Sequence, residues 1–212
     1  MTARTGPTQG RAGRLRLQYR LDTALRGAEL LERKLHTLLG RVQVFEQREA
    51  AARREWTRLL AEAETRLLRG LLLSGEQALV QATPAARAEV TVEWSTAMGL
   101  RHPTGAVCVP AQRSADEPTP RNTALLQSER AYREALRAGA ELAAARAAAR
   151  LISAEANRTR QRVRALRRHW IPLLTQQLAA TELALEQAER EDNVRRRWAA
   201  QGGGVPGPDG SR

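Results

Sequence analysis

A heptad repeat of apolar residues, sustained over two long stretches, limits what this chain can fold into. In the first stretch, alternating steps of four and three residues from Leu17 to Ala63 meet an apolar side chain everywhere except at Glu49. A repeat of about 3.5 residues kept up for this long is typical of the seam of a left-handed coiled coil. The predicted seam of this stretch comprises Leu17, Leu21, Leu31, Leu35, Leu38, Val42, Phe45, Trp56 and Leu59.

The second stretch runs from Leu142 to Trp170 and resumes after Pro172. Its predicted seam comprises Ile152, Val163, Leu166, Trp170, Leu178 and Leu185. Two successive steps of four beyond Trp170 form a stutter, which locally unwinds a supercoil. Proline removes a backbone donor and clashes with the carbonyl four residues earlier, so we expect a kink at Pro172. A break into two shorter helices is the alternative.

Glycine and proline positions divide the chain into parts. We expect a flexible N-terminal arm at 1–13, a coiled-coil helix at 14–75, a central segment at 76–121, a second coiled-coil helix at 122–201 and a disordered tail at 202–212. A lone amphipathic helix of such length cannot bury its apolar stripe, so the two helices are expected to pair. The predicted fold is mainly α: a long antiparallel two-helix coiled coil with a small central segment that contains short helices and a β-hairpin.

The central segment carries the strand signals. Residues Glu89 to Trp94 alternate polar and apolar side chains, and Ala106 to Val109 form a second short apolar run. Glycine and proline at turn-like positions between Met98 and Pro103 predict a loop that joins the two strands. One or two short helices are expected between Gln77 and about Ala88.

The charge pattern admits several kinds of partner. The formal net charge is +12, and Lys34 is the single lysine among 35 basic residues. Such charge is compatible with nucleic acid, anionic lipid or an acidic protein. Six arginines lie between Arg158 and Arg168, with no acidic residue from Ala156 to Thr181. At helical spacing they spread around the circumference, and no nucleic-acid motif or set of stacking aromatics accompanies them, which favours solvated or acidic-partner-facing charge over nucleic acid.

Residue patterns for catalysis or metal binding are weak in this sequence. The histidines at 36, 102 and 169 are far apart, no phosphate-binding glycine loop occurs, and Cys108 is the single cysteine. A lone cysteine excludes an internal disulfide, and it acts as a nucleophile only beside a base. We therefore expect no catalytic site, no cofactor and no metal. No apolar run reaches the length of a membrane helix, and the N-terminus lacks the apolar core of a secretory signal, so a cytoplasmic location is expected.

Four blocks of residues resemble one family. The stretch from Arg162 to Leu174, continuing to Glu189-Arg190-Glu191, resembles the C-terminal signature of the D subunit, the central axle of V-type and archaeal A-type rotary ATPases. Pro7-Thr8, the block from Ala24 to Lys34, and the block from Met98 to Pro103 resemble further family motifs in the same order. The matching positions are Arg26, Gly27, Met98, Gly99, Pro103, Arg162, Val163, Ala165, Leu166, Ile171 and Pro172.

Three positions depart from the family pattern, which typically reads RRVNALE in the C-terminal signature. Arg164 stands where the family has asparagine, and Arg167 stands where it has glutamate. Glu32 lies near the place of an expected lysine, so the charge there is reversed. The contacts that these positions make in the family are therefore expected to differ in this chain.

The resemblance implies a central-stalk rotor. It would transmit torque between the proton-translocating membrane ring and the catalytic A/B hexamer during ATP synthesis or hydrolysis, with no catalytic site of its own. Its implied partners are the A and B subunits, the small F subunit and the membrane-side socket subunit of the C/d type. The implied location is peripheral, on the inner face of the cell membrane without insertion. An arginine-rich coiled-coil scaffold or nucleic-acid-binding protein is the alternative, and an enzyme using Cys108 is a third hypothesis.

Overall fold

The computed structural model of the chain describes residues 10–82, 86–112 and 122–202. Its elements are α1 (Arg11–Ser74), α2 (Gln77–Ala82), β1 (Glu89–Ala97), β2 (Leu100–Val109), α3 (Thr123–Ala165), a π-helical turn (Leu166–Trp170) and α4 (Ile171–Gly202). The mainly α class with a two-stranded β-hairpin is thus confirmed. The described residues form two compact units: a terminal unit within 1–33 and 160–212, and a central unit within 34–159.

Glycines with positive φ set both ends of α1. Gly10 has a φ of 125°, and its carbonyl accepts the first helical hydrogen bonds, from Gly13 at 3.0 Å and Arg14 at 3.2 Å. The helix consequently begins at Arg11 rather than Arg14, so residues 11–13 of the expected arm are helical. At the other end, Gly75 has a φ of 74° and donates to the Leu71 carbonyl at 2.8 Å, as glycines that end helices do. Residues 1–9 and 203–212 of the expected arm and tail lie outside the described residues.

In the central unit, α1 and α3 pack antiparallel. Lys34 meets Glu155 near one end, and Gly70 lies against Leu125 near the other, so residue numbers rise along α1 as they fall along α3. The buried apolar residues on these two helices are mostly alanines: Leu38, Ala63, Leu125, Ala131, Ala135, Leu142, Ala144, Ala148, Ala149, Ile152 and Ala156. Small side chains bury little area each, but they let the two helices approach closely.

In the terminal unit, the start of α1 packs against α4. Leu17, Ala24 and Leu174 form the buried cluster. Three half-buried residues, Leu21, Ile171 and Leu178, pack against it. This pairing is also antiparallel, because Arg11 meets Glu189 while Glu32 meets Arg167.

The two strands form an antiparallel hairpin with a tight turn. Pairing runs from Glu89 opposite Val109 to Ala97 opposite Leu100, with a bulge between Glu93 and Trp94. Met98 and Gly99 alone make the turn, with φ values of 55° and 78°. A two-residue turn with positive φ matches the right-handed twist of the paired strands, so no longer loop is needed. The expected loop from Met98 to Pro103 is therefore wrong. His102 and Pro103 lie in β2 instead.

Candidate functional site

We compared the seam positions predicted from the heptads with their burial in the structure. Every one of them except Trp170 is buried or half-buried. Those in the central unit are Leu35, Leu38, Val42, Phe45, Trp56, Leu59 and Ile152, and those in the terminal unit are Leu17, Leu21, Leu31, Val163, Leu166, Leu178 and Leu185. Glu49, the polar residue within the repeat, contacts Arg53 at 2.7 Å and Arg146 of α3 at 3.4 Å.

Trp170 does not occupy the seam, and the π-helical turn explains why. The Ile171 amide donates to the Leu166 carbonyl five residues earlier, so the turn holds one residue more than an α-helical turn. The side chains that follow are rotated relative to the heptads. Leu174 takes the inward position at 1% exposure, whereas Trp170 is 42% exposed.

The sequence predicts an irregularity in the helix at Pro172. The structure has a π-helical turn there, which ends at Trp170, two residues before the proline. A proline ring in a regular α-helix clashes with the carbonyl four residues back, here that of Arg168. The wider π-turn covers Leu166–Trp170, and the chain stays helical from Thr123 to Gly202. The alternative of two separated helices is therefore wrong.

Glu32 and Arg167, two of the positions that depart from the family pattern, contact each other. Nε of Arg167 donates to Oε1 of Glu32, and Nη2 donates to Oε2, each at 2.9 Å. These hydrogen bonds lower the pKa of Glu32 and raise that of Arg167. A bidentate pair fixes two planar groups in one geometry, so it joins α1 to the π-turn within the terminal unit.

Three other arginines near the π-turn are exposed. The guanidinium groups of Arg162, Arg164 and Arg168 make no ion pair or hydrogen bond with any residue in the described part of the chain. Arg20 of α1 places its guanidinium carbon 5.5 Å from the centre of the Trp170 ring. This geometry is that of a cation–π contact.

The β-hairpin, α1 and α3 together line an open apolar cavity in the central unit. Its volume is about 610 Å³, and its lining includes Trp56 of α1, Val92 and Trp94 of β1, and Tyr132 and Leu136 of α3. Burial raises the pKa of Tyr132, with a smaller contribution from Glu64. Sequence reasoning did not predict this cavity. The alternation of Val90, Val92 and Trp94 indicates one apolar face of β1. It does not indicate which residues of other elements that face contacts.

The histidines and the cysteine do not come together. His102 is buried, with its ring edge-on to Phe45 at 5.1 Å, while His36 and His169 are exposed. Cys108 is 6% exposed in β2. Over residues 10–82, 86–112 and 122–202, no three His, Cys, Asp or Glu side chains are grouped so as to hold a metal ion. Within those same ranges, no helix combines the length and apolarity needed to cross a membrane.

The positions that match the family motifs lie in three places. Arg26 and Gly27 lie on α1, where Nε of Arg26 donates to the Asp22 carbonyl at 3.3 Å. Met98 and Gly99 form the hairpin turn, and Pro103 is buried beside the bulge. The rest surround the π-turn: Val163, Leu166 and Ile171 are half-buried, and Arg162, Ala165 and Pro172 are exposed.

The antiparallel helix pair in each unit, together with the hairpin on the central one, defines a mainly α protein built on long paired helices. The family of the ATP synthase D subunit matches residues 14–201. The chain is 32% identical over 190 residues to the V-type ATP synthase D subunit of Anaeromyxobacter sp., covering 87% of this chain and 88% of that protein. It is 30% identical over 189 residues to the A-type ATP synthase D subunit of Methanopyrus kandleri, covering 85% and 80%.

The chain belongs to the family of the ATP synthase D subunit. It is thus a central-stalk subunit of a V/A-type rotary ATPase complex.

Proposed function

We propose that the chain is the rotor shaft of its complex and carries torque between a proton-translocating membrane ring and a catalytic hexamer of A and B subunits. The observation that carries this proposal is α1, a single helix of 64 residues that is paired antiparallel in both units. A continuous helix transmits rotation along its axis, and pairing it along a buried seam resists the bending of a lone helix.

The ion pairs between helices support the same role. Arg11–Glu189 and Glu32–Arg167 join the helices of the terminal unit, and Lys34–Glu155 joins those of the central unit at 2.8 Å. Exposed pairs contribute little to stability. We assign them a role in register: each pair is made in one alignment of the two helices and so favours that alignment over others.

The chain itself has no catalytic role in this proposal. ATP is made or hydrolysed on the A and B subunits, and the chain changes the conformations of their sites as it turns. The small F subunit and the membrane-side socket subunit of the C/d type are the other proposed partners. The proposed location is the inner face of the cell membrane, as a peripheral part of the complex.

Reconstitution tests this proposal. The A, B and F subunits are assembled with and without the full chain and joined to the membrane sector in vesicles, and ATP-driven proton uptake is measured. We expect the chain to co-purify with A, B and F, and proton uptake to require it. A complex that pumps protons equally well without the chain would refute the rotor role. Hydrolysis that persists while pumping is lost would support it, because coupling is the function assigned to the shaft.

A further inference from the structure

Three arginines line one open pocket near the end of α1 and the start of α3. We call it the arginine pocket. It lies in the central unit, has a volume of about 380 Å³, and is lined by Arg66 and Arg69 of α1 and by Ala124, Gln127 and Arg130 of α3. The lining residues on each helix are spaced three apart, so they lie on one face of that helix. Every charged residue of this lining is cationic.

Direct contacts between the two helices hold the backbone on both sides of the pocket. Gly70 lies against Leu125, and a Cβ atom placed on the glycine would be 2.7 Å from Cδ2 of the leucine. Asn122 joins the ends of the helices, because its Nδ2 donates to Oγ of Ser74 at 2.9 Å while its Oδ1 accepts from the Ala124 amide at 2.8 Å. The arginine side chains are therefore anchored on a packed backbone.

The positive charge of the pocket is poorly neutralised. Arg66 pairs with Glu62, and the same carboxylate also meets Arg58 at 3.6 Å. Arg69 and Arg130 are exposed, and they make no ion pair or hydrogen bond with any residue that the structure describes. Among the described residues, the counter-charge that reaches the pocket by an ion pair is thus one shared carboxylate.

The sequence explains why two of these arginines are unpaired. Arginines that pair along the helices commonly meet a glutamate three or four residues earlier, as Arg53 meets Glu49 at 2.7 Å. Neither Arg69 nor Arg130 has an acidic residue at those two places. The first turn of α3 also contains no acidic residue, so the partial positive charge of its N-terminus is not offset there. The pocket is consequently a site of positive potential.

We propose that the arginine pocket binds a phosphate group, carried by a soluble phosphate compound or by the headgroup of an anionic phospholipid. The planar guanidinium group donates two parallel hydrogen bonds to the oxygens of a phosphate. The amide of Gln127 adds a neutral donor in the same lining. A bound anion also relieves the mutual repulsion of the guanidinium groups. The proposal is independent of the rotor role, because it uses residues of the central unit alone.

A phosphate suits this pocket better than a carboxylate or a nucleic-acid base. A carboxylate has two oxygens and one charge, which a single arginine satisfies in a bidentate pair. A phosphate monoester has three acceptor oxygens and a charge of about −1.5 to −2, so several arginines bind it at once. None of the lining residues given by the described part of the chain is aromatic, so the pocket lacks the stacking surface on which proteins hold unpaired bases.

The test uses the full chain and two matched variants. The pocket variant carries Arg69→Gln and Arg130→Gln. The control carries Arg54→Gln and Arg150→Gln, at two exposed arginines of the same two helices that are not in the lining of the pocket. Both variants lose two positive charges, so non-specific attraction to anions falls equally in both. Exposed arginines contribute little to stability, and thermal unfolding followed by circular dichroism checks that both variants are folded.

Inorganic pyrophosphate is the soluble probe, titrated by calorimetry at low salt. Flotation with vesicles of phosphatidylcholine, alone or mixed with phosphatidic acid, tests the lipid source. We expect the control to bind like the wild type, and the pocket variant to bind roughly tenfold more weakly or worse, because it loses two charged donors. A loss specific to the pocket variant supports the proposal in either assay: with pyrophosphate alone it indicates a soluble ligand, with vesicles alone a lipid headgroup, and with both the phosphate group itself. No such loss in either assay, including no binding by the wild type, would overturn it.

A second measurement needs no substitution. Phenylglyoxal modifies accessible arginines, and mass spectrometry of the peptides gives the rate of modification at each position. The probe that binds, pyrophosphate or anionic vesicles, should slow modification at Arg69 and Arg130 and leave the rates at Arg54 and Arg150 close to those without the probe. Equal protection at all four positions, or at none of them, would show that the phosphate does not enter the pocket and would overturn the proposal.

Discussion

Among the glycines in the described part of the chain, Gly70 has the least room for a Cβ atom, and Gly70→Ala tests the packing there. The residue is buried in α1, facing Leu125 of α3. A Cβ atom placed at Gly70 would lie 2.7 Å from Cδ2 of Leu125 and 3.3 Å from its backbone nitrogen. Leu125 is only 2% exposed, and a change of its side-chain rotamer cannot relieve the contact with its backbone nitrogen.

The magnitude follows from two opposing effects. Replacing glycine by alanine within a helix gains about 0.5–1 kcal/mol, because alanine loses less backbone entropy on folding. Adding a methyl group to a filled core costs about 1–3 kcal/mol. We therefore expect Gly70→Ala to be destabilised by about 1 kcal/mol. Gly40→Ala is the matched control, because a Cβ there meets no atom within 4 Å, and it should be stabilised by about 0.5–1 kcal/mol.

Urea and thermal unfolding followed by far-UV circular dichroism measure both variants. The difference between them cancels the helix propensity and leaves the packing cost, so their free energies of unfolding should differ by about 1–3 kcal/mol. For a chain of this size, each kcal/mol corresponds to about 2–4 °C in Tm. Adding Leu125→Ala should reduce the penalty at Gly70, since it removes Cδ2 and Cγ of Leu125 and leaves only the contact with the backbone nitrogen. Equal stability of Gly70→Ala and Gly40→Ala would show that the two helices are not in contact at Leu125.

Three further predictions concern other parts of the fold. Ile152→Ala should lower the free energy of unfolding by about 2–5 kcal/mol, because the side chain is 1% exposed; the neighbouring Leu151→Ala, 38% exposed, should cost far less in the same denaturant titration. Met98→Asn should stabilise the chain by up to about 1 kcal/mol in thermal unfolding, since asparagine adopts positive φ more readily than methionine, and an unchanged Tm would contradict the strained turn. Glu32→Gln should lose stability relative to the wild type above pH 4.5, the ordinary pKa of the carboxyl. A lowered pKa stabilises the fold where the carboxyl is ionised. The difference in the free energy of unfolding between the wild type and Glu32→Gln should therefore shrink as pH falls through the lowered pKa of Glu32. A difference that does not depend on pH would refute the role of the Arg167 pair.

The mainly α fold and the hairpin could be predicted from the sequence because both depend on local patterns. The heptads from Leu17 onward predict a paired helix without knowledge of its partner. Alternation from Glu89 to Trp94 likewise indicates a strand. The length of the turn could not be predicted, because methionine is an unusual residue at positive φ. An asparagine at position 98 would have indicated a two-residue turn directly.

Contacts between residues that are far apart in the chain could not be predicted from the sequence. Glu32 and Arg167 are 135 residues apart, and only the register of the helix pair brings them together. The π-turn was missed for a different reason. A step of four beyond Trp170 is compatible with a stutter in a regular coiled coil, and the heptads contain nothing that distinguishes it from an inserted residue. Trp170 is exposed at the end of this π-turn, where the Ile171 amide donates to the Leu166 carbonyl.

The two arginines near the π-turn that depart from the expected family motif have different surroundings. Arg167 faces α1, where the reversed charge of Glu32 meets it at 2.9 Å, so this change is compensated within the chain. Arg164 lies three residues earlier, is exposed, and has no partner among the described residues. An exposed guanidinium is solvated, so Arg164 needs no partner within the chain. We therefore expect Arg164→Asn to leave the Tm of the chain unchanged, whereas Arg167→Asn, which removes the pair with Glu32, should lower it slightly in the same thermal unfolding experiment.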